Sequence, residues 1–399
     1  MTRAKKLLVV ALAFALVSQI PFAYRRYKLG RLSSAIHAIS SERRAPETQS
    51  GYVEYRGVIH VHSFLGGHSE GTFQEIISAA KANDLQFVVM TEHVESLIDT
   101  SAMTLKGIHS GVLFVNGNEV KSANGDRLLV IPGDASLDGA DKLTADQIAA
   151  NTRSRGALSV VAYPNEFKGN SNSWDGIEVY NVFTNARRIN LLVAFFDALW
   201  SHHTYPDLLF ANYFQRPNEE IRKWDERLKQ GKLVATAGND SHANIGLNLG
   251  DSSGNRLLGF KLDPYETSFH LVRVHVLIPS EKPLEMTTLL QAIKAGHCFI
   301  GFDVFGDSSG FRFETSNSPA MQGDEIAFQK ELRLKVSIPV SSRLLLFRNG
   351  EIVLDETGIT TKEIPIVDKG VYRVEVYLPQ LGKPVGDQPW IISNPIYVK

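Results

Sequence analysis

From Tyr52 to about Phe305 the sequence alternates short apolar runs with stretches of helical pattern, and this alternation restricts the fold more than any other feature. The runs Val58–His62, Phe87–Thr91, Val112–Val115, Leu128–Pro132, Leu158–Ala162, Ile177–Tyr180 and Leu233–Ala237 are largely apolar at consecutive positions. Runs of that kind suit strands covered on both faces, as parallel strands between helices are. Thr72 with Glu75, and Thr144 with Gln147, have the spacing of a capping box, so a helix is expected to open at each. A further helix is predicted over Pro217–Gln230, stopping at Gly231. Strand and helix in alternation predict a parallel α/β fold, and so many strands predict a barrel rather than a small open sheet.

The flanks differ from this body. After Phe311 the helical pattern ends, and Glu331–Pro339, Ser342–Arg348, Glu351–Leu354, Gly370–Leu378 and Trp390–Tyr397 read as short strands, with a hairpin signal at Asn349-Gly350. Residues 311–399 are therefore expected to form a small all-β, sandwich-like domain behind a body at 51–310, with Trp390 in its core. At the other end Arg3, Lys5 and Lys6 precede the apolar run Leu7–Ala23, and Arg25, Arg26, Lys28 and Arg31 follow it. This predicts a signal anchor or a cleaved signal peptide over 1–23, a membrane-anchored or secreted chain, and a body outside the cytoplasm at a bacterial cell envelope. Residues 24–50 read as a polar tether. The lone Cys298 excludes an intramolecular disulfide. The formal net charge of -1 gives no global attraction to polyanions, so no nucleic acid partner is expected.

The chemistry lies where the apolar runs end. His60-Val61-His62-Ser63 closes the first, Thr91-Glu92-His93 the second, Asn118-Glu119 the third, and Asn239-Asp240-Ser241-His242 a late one. Side chains two apart on a strand point the same way, so His60 and His62 can grip one ion while Val61 packs. One histidine after a strand is usually structural; a repeated pattern of histidines and carboxylates at strand ends argues for a metal centre. In a parallel barrel those ends converge on one axis, where active sites form. Histidine and carboxylate without thiolate suit zinc, manganese or iron.

The ordered set His60-Val61-His62-Ser63, Ser69-Glu70-Gly71, Thr91-Glu92-His93, Glu119 and Asp240-Ser241-His242 resembles the PHP (polymerase and histidinol phosphatase) superfamily over roughly residues 52–305. Trp224-Asp225, Ala237-Gly238-Asn239-Asp240-Ser241-His242 and Ser393-Asn394-Pro395-Ile396-Tyr397 are most similar to the branch that includes aryl carbamate hydrolases. The resemblance implies a distorted (β/α)7 TIM-like barrel with up to three metal ions. It implies that His60, His62, Glu119 and Asp240 bind one ion, that His68 joins His93 and His242 around another, and that Glu119 bridges toward a third.

At the third site the sequence departs from the family. Tyr163 stands where a histidine is expected, and Arg127 where a Gly-His is common. Both changes fall on ligands of one ion, so one or two divalent ions are expected. Arg127 would supply lost positive charge to an anionic substrate. Tyr163, Glu178 and Asn181 are expected to line the substrate pocket, or, for the last two, to support the ligands. Arg187 and Arg188 would contact a phosphate or be solvated. His270, His275 and His297 are expected to pack, and His109, His202 and His203 carry no assignment. The implied activity is metal-assisted hydrolysis of a small-molecule ester, with His242 or His93 giving a proton to the leaving group. The family favours a phosphoester and the branch leaves a carbamate or other ester open. A metal-containing binding module is the non-catalytic alternative.

Overall fold

Residues 24–42 of the polar stretch that follows the N-terminal apolar run are helical, and 45–50 of the expected tether lie outside the described residues. In the computed structural model, which describes residues 2–44, 51–169, 173–186, 190–244, 246–250, 256–261 and 263–399, one helix, α1 (Arg3–Glu42), runs through both. Its second half has partners on the body. Arg25 pairs with Asp197 at 2.6 Å, Arg26 donates to Thr204 Oγ1 at 3.0 Å, and Leu29, Leu32 and Ile39 are buried. A segment with apolar side chains on one face and answered charges on another stays helical, and composition alone hid that pattern.

The body is mixed α/β. In chain order it contains β1 (Tyr52–Val61), α2 (Phe73–Ala82), β2 (Phe87–Met90), β3 (Glu92–His93), β4 (Val112–Val115), β5 (Asn118–Lys121), β6 (Arg127–Ile131), α3 (Ala145–Ser154), β7 (Leu158–Ala162) and β8 (Gly176–Asn181). There follow α4 (Leu191–Ser201), α5 (Asn218–Leu228), β9 (Val234–Gly238), β10 (Arg273–Pro279) and β11 (Cys298–Gly301). Both expected capping boxes are present, Thr72 with Glu75 opening α2 and Thr144 with Gln147 opening α3.

The strands pair in two sheets, which touch where β9 returns to β1. β1 pairs with β2, β2 with β4, and β3 with β5, all parallel. β5 pairs with β6 and β6 with β7, both antiparallel, and β7 to β8 to β9 is again parallel. β9 meets β1: Asn239 N–H donates to Ile59 O at 2.9 Å and His62 N–H to Ser241 O at 3.1 Å. The purely parallel expectation fails at β6. Only a tight turn with Gly125 at φ 87° separates it from β5, and a parallel return needs a crossover of about a dozen residues.

β1 serves two neighbourhoods. Its first half, Tyr52–Gly57, pairs antiparallel with β10, which carries the main sheet on through β11. Beyond Arg312 the elements used below are β12 (Arg333–Arg348), β13 (Glu351–Pro365), β14 (Gly370–Tyr377), β15 (Pro389–Ser393) and β16 (Ile396–Val398). The runs Glu331–Pro339 and Ser342–Arg348 form one strand rather than two, bent where its register against β13 slips between Ser337 and Ser342. Asn349 at φ 52° and Gly350 at φ 88° make the expected hairpin turn. β15 hydrogen-bonds to β11, so these strands share one thirteen-stranded sheet with β1, β2, β4, β10 and β11, while β3 and β5 to β9 form a six-stranded sheet of their own. Buried Asn394 fastens them further: its side chain bonds Ala235 N at 2.8 Å, Ala235 O at 3.0 Å and Cys298 O at 2.9 Å. Ala235 lies in β9, the strand that leads into Asp240.

Candidate metal centre

β1 delivers its histidines through a bulge. Its register against β2 slips between Ile59 and Val61, and His60 sits at φ 69°, a region that residues with a Cβ rarely adopt. The His60 and His62 rings come within 5.1 Å, with Val61 buried. Regular alternation was the expected cause; the extra residue of a bulge is the observed one. Asp240 and Tyr163, each just past a strand end, also have φ 50°. Backbone of this kind costs about 1–3 kcal/mol per residue and persists where its surroundings fix it.

Four donor atoms meet in the buried interior. His60 Nε2 lies 3.4 Å from Glu119 Oε2 and 3.4 Å from Asp240 Oδ1. His62 Nε2 lies 3.5 Å from each of the same two oxygens. Neighbouring ligands of an ion at about 2.0–2.1 Å stand about 3 Å or more apart, so these four contacts suit a shared cation. The hydrogen-bond inventory agrees. Both ring nitrogens of His62, and Asp240 Oδ1, are buried without a hydrogen-bond partner. Buried polar atoms are rarely left so, and a cation between His62 Nε2 and Asp240 Oδ1 would satisfy these two. His60, His62 and Glu119 form one group with donor atoms within 4.8 Å of one another, and His62, His93 and His242 form a second. These groups can hold a metal.

The remaining atoms of these ligands are braced. His60 Nδ1 lies 2.8 Å from Glu178 Oε1, which fixes an Nδ1–H donor and turns the Nε2 lone pair toward the two carboxylates. Glu178 was expected to line the pocket or to support a ligand; it is buried at the wall of a cleft and holds His60. Asn181 is similarly occupied, its amide donating to Glu178 Oε2 at 3.3 Å and Asp240 Oδ2 at 3.4 Å. The Tyr163 hydroxyl donates to Asp240 Oδ2 at 2.6 Å, so it braces a ligand from the edge of the pocket where substrate contact was expected. Arg127 Nη1 donates to Glu119 Oε1 at 2.9 Å, occupying the oxygen that would otherwise bridge to a further ion.

Of the second group, His242 Nδ1 lies 2.9 Å from the Asp240 backbone oxygen, and its ring stacks on His62 at 4.3 Å. His93 stacks on His62 at 4.7 Å, with Nδ1 3.5 Å from Glu119 Oε2. His68 is exposed at the rim with its ring edge toward His93 at 4.9 Å, and it belongs to neither donor group. It lies in the loop after β1, outside the strand ends that aim the others.

Electrostatics follow burial. Burial pushes His62 down to about 4, and burial with the neighbouring His62 pushes His93 to about 3. Burial alone would raise Glu119, but the histidines around it hold it at about 2. Asp240 is likewise held far below its usual range against burial, by His60 and His62. His60 is raised against burial because Glu178 and Asp240 face it. Burial and Asp240 keep the Tyr163 hydroxyl protonated.

Arg187 and Arg188 lie outside the described residues. His270, His275 and His297 do more than pack: each faces a carboxylate, Asp207 at 2.7 Å, Glu54 at 2.8 Å and Asp324 at 2.8 Å. Two supports had no role in the sequence reading. Tyr265 donates to the His62 backbone oxygen at 2.6 Å. Buried Glu92 accepts from Ser63 N at 2.9 Å and Ser63 Oγ at 2.6 Å, fixing the turn after His62. Glu92 beside His93 was a visible signal; Tyr265 gave none.

No protein-family model matches the sequence, and no curated protein matches it. Among solved structures, PsfC from Pseudomonas syringae PB-5123 is similar over 60% of this chain and 89% of its own, at 14% identity and a TM-score of 0.35. Endonuclease Q in complex with a 27-mer duplex carrying an abasic lesion is similar over 61% of this chain and 57% of its own, at 14% identity and a TM-score of 0.35. The lesion-specific endonuclease PfuEndoQ from Pyrococcus furiosus is similar over 67% and 64%, at 13% identity and a TM-score of 0.37. The chain thus spans less than two thirds of either endonuclease. These likenesses correct the expectation that nucleic acid is excluded as a partner, since two of the similar chains are endonucleases. A whole-chain charge near zero does not describe the field at one face, so it could not support that exclusion.

Proposed function

We propose that this chain is a metal-dependent hydrolase of PHP type that acts on a phosphoester. The observation that carries the reading is the spacing of His60 Nε2, His62 Nε2, Glu119 Oε2 and Asp240 Oδ1 at 3.4–3.5 Å, with His62 and Asp240 Oδ1 otherwise unsatisfied. Taking the returning sequence of strands as a distorted (β/α)7 barrel puts these donors at strand ends, where barrel enzymes work. A neutral imidazole keeps one lone pair, its other nitrogen carrying a hydrogen, so the two donor groups that share His62 favour one well-bound ion over two.

A bound divalent ion supplies Lewis acidity, lowering the pKa of a water and offsetting charge that develops on the substrate. Glu178 and Tyr163 hold His60 and Asp240 in place for it. Arg127 engages only Glu119 among the described residues, through Nη1, and leaves its other N–H groups to an anionic substrate. His242 or His93 gives the proton to the leaving group. A small cleft lined by Tyr163, Asn165, Glu166, Glu178, Asn181 and Asn185 opens beside the centre. α1 anchors the chain in a membrane, with the body outside the cytoplasm. A carbamate or carboxylic ester fits the same site. The capping of Glu119 by Arg127 and of Asp240 by Tyr163 favours, as a second reading, a centre that binds without turnover.

Elemental analysis of the full-length protein, with hydrolysis of an aryl phosphate, an aryl carbamate and a short DNA duplex, tests these readings. One ion per chain is expected, with phosphate hydrolysis reduced by about two orders of magnitude or more in Asp240→Ala. An ion without turnover of any substrate would favour the binding module. No ion and no rate with added zinc, manganese or iron would end the enzyme reading.

A further inference from the structure

α4 is built inside out for a helix at a protein–water boundary. Its Asp197 is 2% exposed and turned inward, where it pairs with Arg25 of α1 and accepts the Tyr213 hydroxyl. Its outer face carries Leu192 at 69%, Phe195 at 54% and Leu199 at 71% exposure, with Trp200 at 36%. Residues 192, 195 and 199 follow helical spacing, so they form one apolar stripe. Soluble surfaces seldom present such a stripe without something to cover it.

The position of the stripe says what covers it. From Thr2 to Ser18 α1 is exposed at every residue, and it first meets the body at Gln19–Phe22. There Phe22 packs on Phe196 of α4 at 5.0 Å, and the Trp200 indole donates to Gln19 Oε1 at 2.9 Å. The protruding part spans about 25 Å at about 1.5 Å per residue, close to a hydrocarbon core of about 30 Å. α4 therefore sits where α1 leaves the protein. The tryptophan beside that junction, and Arg26 and Lys28 just past it, match the residues that favour the headgroup region.

We infer that α4 is a second membrane contact, lying in the lipid interface with Leu192, Phe195 and Leu199 among the acyl chains, so that the body is held against the bilayer rather than swinging from one helix. The inference rests on the reading of α1 as a membrane anchor. It commits to a lipid surface and not to a second copy of the chain.

Trp200 is a built-in probe, because Trp174, Trp224 and Trp390 are at most 4% exposed. The full-length protein is reconstituted into phosphatidylcholine–phosphatidylglycerol vesicles, and tryptophan emission is quenched by phospholipid brominated near the headgroup end of its chains or by aqueous iodide. The brominated lipid is expected to remove most of the Trp200 emission, iodide little, and Trp200→Phe to abolish the lipid effect. Leu199→Cys labelled with a polarity-sensitive fluorophore gives a second readout, since the native Cys298 is buried, and a blue shift on reconstitution is expected. Carbonate-resistant protein whose Trp200 is quenched by iodide and not by lipid overturns this inference alone. Protection from both quenchers points to a covering protein copy and also overturns it. Protein that carbonate removes from the vesicles overturns the anchor reading along with it.

Discussion

Arg127 and Glu119 share a hydrogen bond of 2.9 Å that divides one carboxylate between two duties: Oε1 is tied to the guanidinium while Oε2 faces His60, His62 and His93. A positive charge thus stands where the family resemblance puts a further ion. The double variant Arg127→His, Tyr163→His is expected to raise bound metal by one ion per chain in elemental analysis, because it releases Glu119 Oε1 and restores two nitrogen ligands. Arg127→Ala alone should leave the metal count unchanged and lower kcat/KM by about 10- to 100-fold. An unchanged count in the double variant would remove the argument that Arg127 substitutes for an ion.

Glu178 acts through His60 Nδ1 at 2.8 Å. Glu178→Gln keeps the shape but weakens the acceptor, and metal affinity is expected to fall by about 10- to 100-fold in a chelator competition. Affinity within a factor of about two of the parent would mean that the bulge at His60, not Glu178, orients the ring.

Gly71 leaves room for Tyr265. A Cβ at residue 71 would lie 1.9 Å from the Tyr265 hydroxyl oxygen, which otherwise donates to the His62 backbone at 2.6 Å. Gly71→Ala is expected to cost about 1–3 kcal/mol of stability by overpacking and to loosen the metal together with the fold. Tyr265→Phe, which removes only the hydroxyl, should cost less in thermal unfolding. The opposite order would place the strain elsewhere.

His275 is fully buried between Glu54 at 2.8 Å and Asp303 at 3.2 Å, and these carboxylates raise it, against burial, to about 9. A histidine raised on folding contributes stability that is complete below its unfolded value of about 6.5 and is lost as pH rises through the folded one. Tm should therefore decline between about pH 6.5 and 9, and His275→Gln should flatten that slope while lowering Tm at pH 6. A slope unchanged by the substitution would assign the pH dependence to another group.

Much of the centre was legible because its ligands are local. His60-Val61-His62, Glu119 and Asp240-Ser241-His242 lie at the ends of apolar runs, and each run found from its composition is a strand within one or two residues at its C-terminal end. His68 stands at the rim beside His93 because a loop residue is not aimed by a strand end. The strands β10 and β11 were not separated from neighbouring apolar segments, since they pair with the first half of β1 and with β15, far away in sequence.

The sequence by itself determined the ligand types, their order and the caps of α2 and α3, for these depend on residues a few positions apart. Only the tertiary structure decided that His60 sits in a bulge, that Glu178 and Tyr163 brace ligands, and that Arg127 occupies one oxygen of Glu119. It also decided that α1 continues through Glu42 and that α4 turns Asp197 inward. These outcomes hang on partners such as Arg127 with Glu119, 8 positions apart, and Arg26 with Thr204, 178 positions apart. Local propensity carries no information about such pairs; burial does, because a polar group taken from water must find its partner wherever the fold has put it.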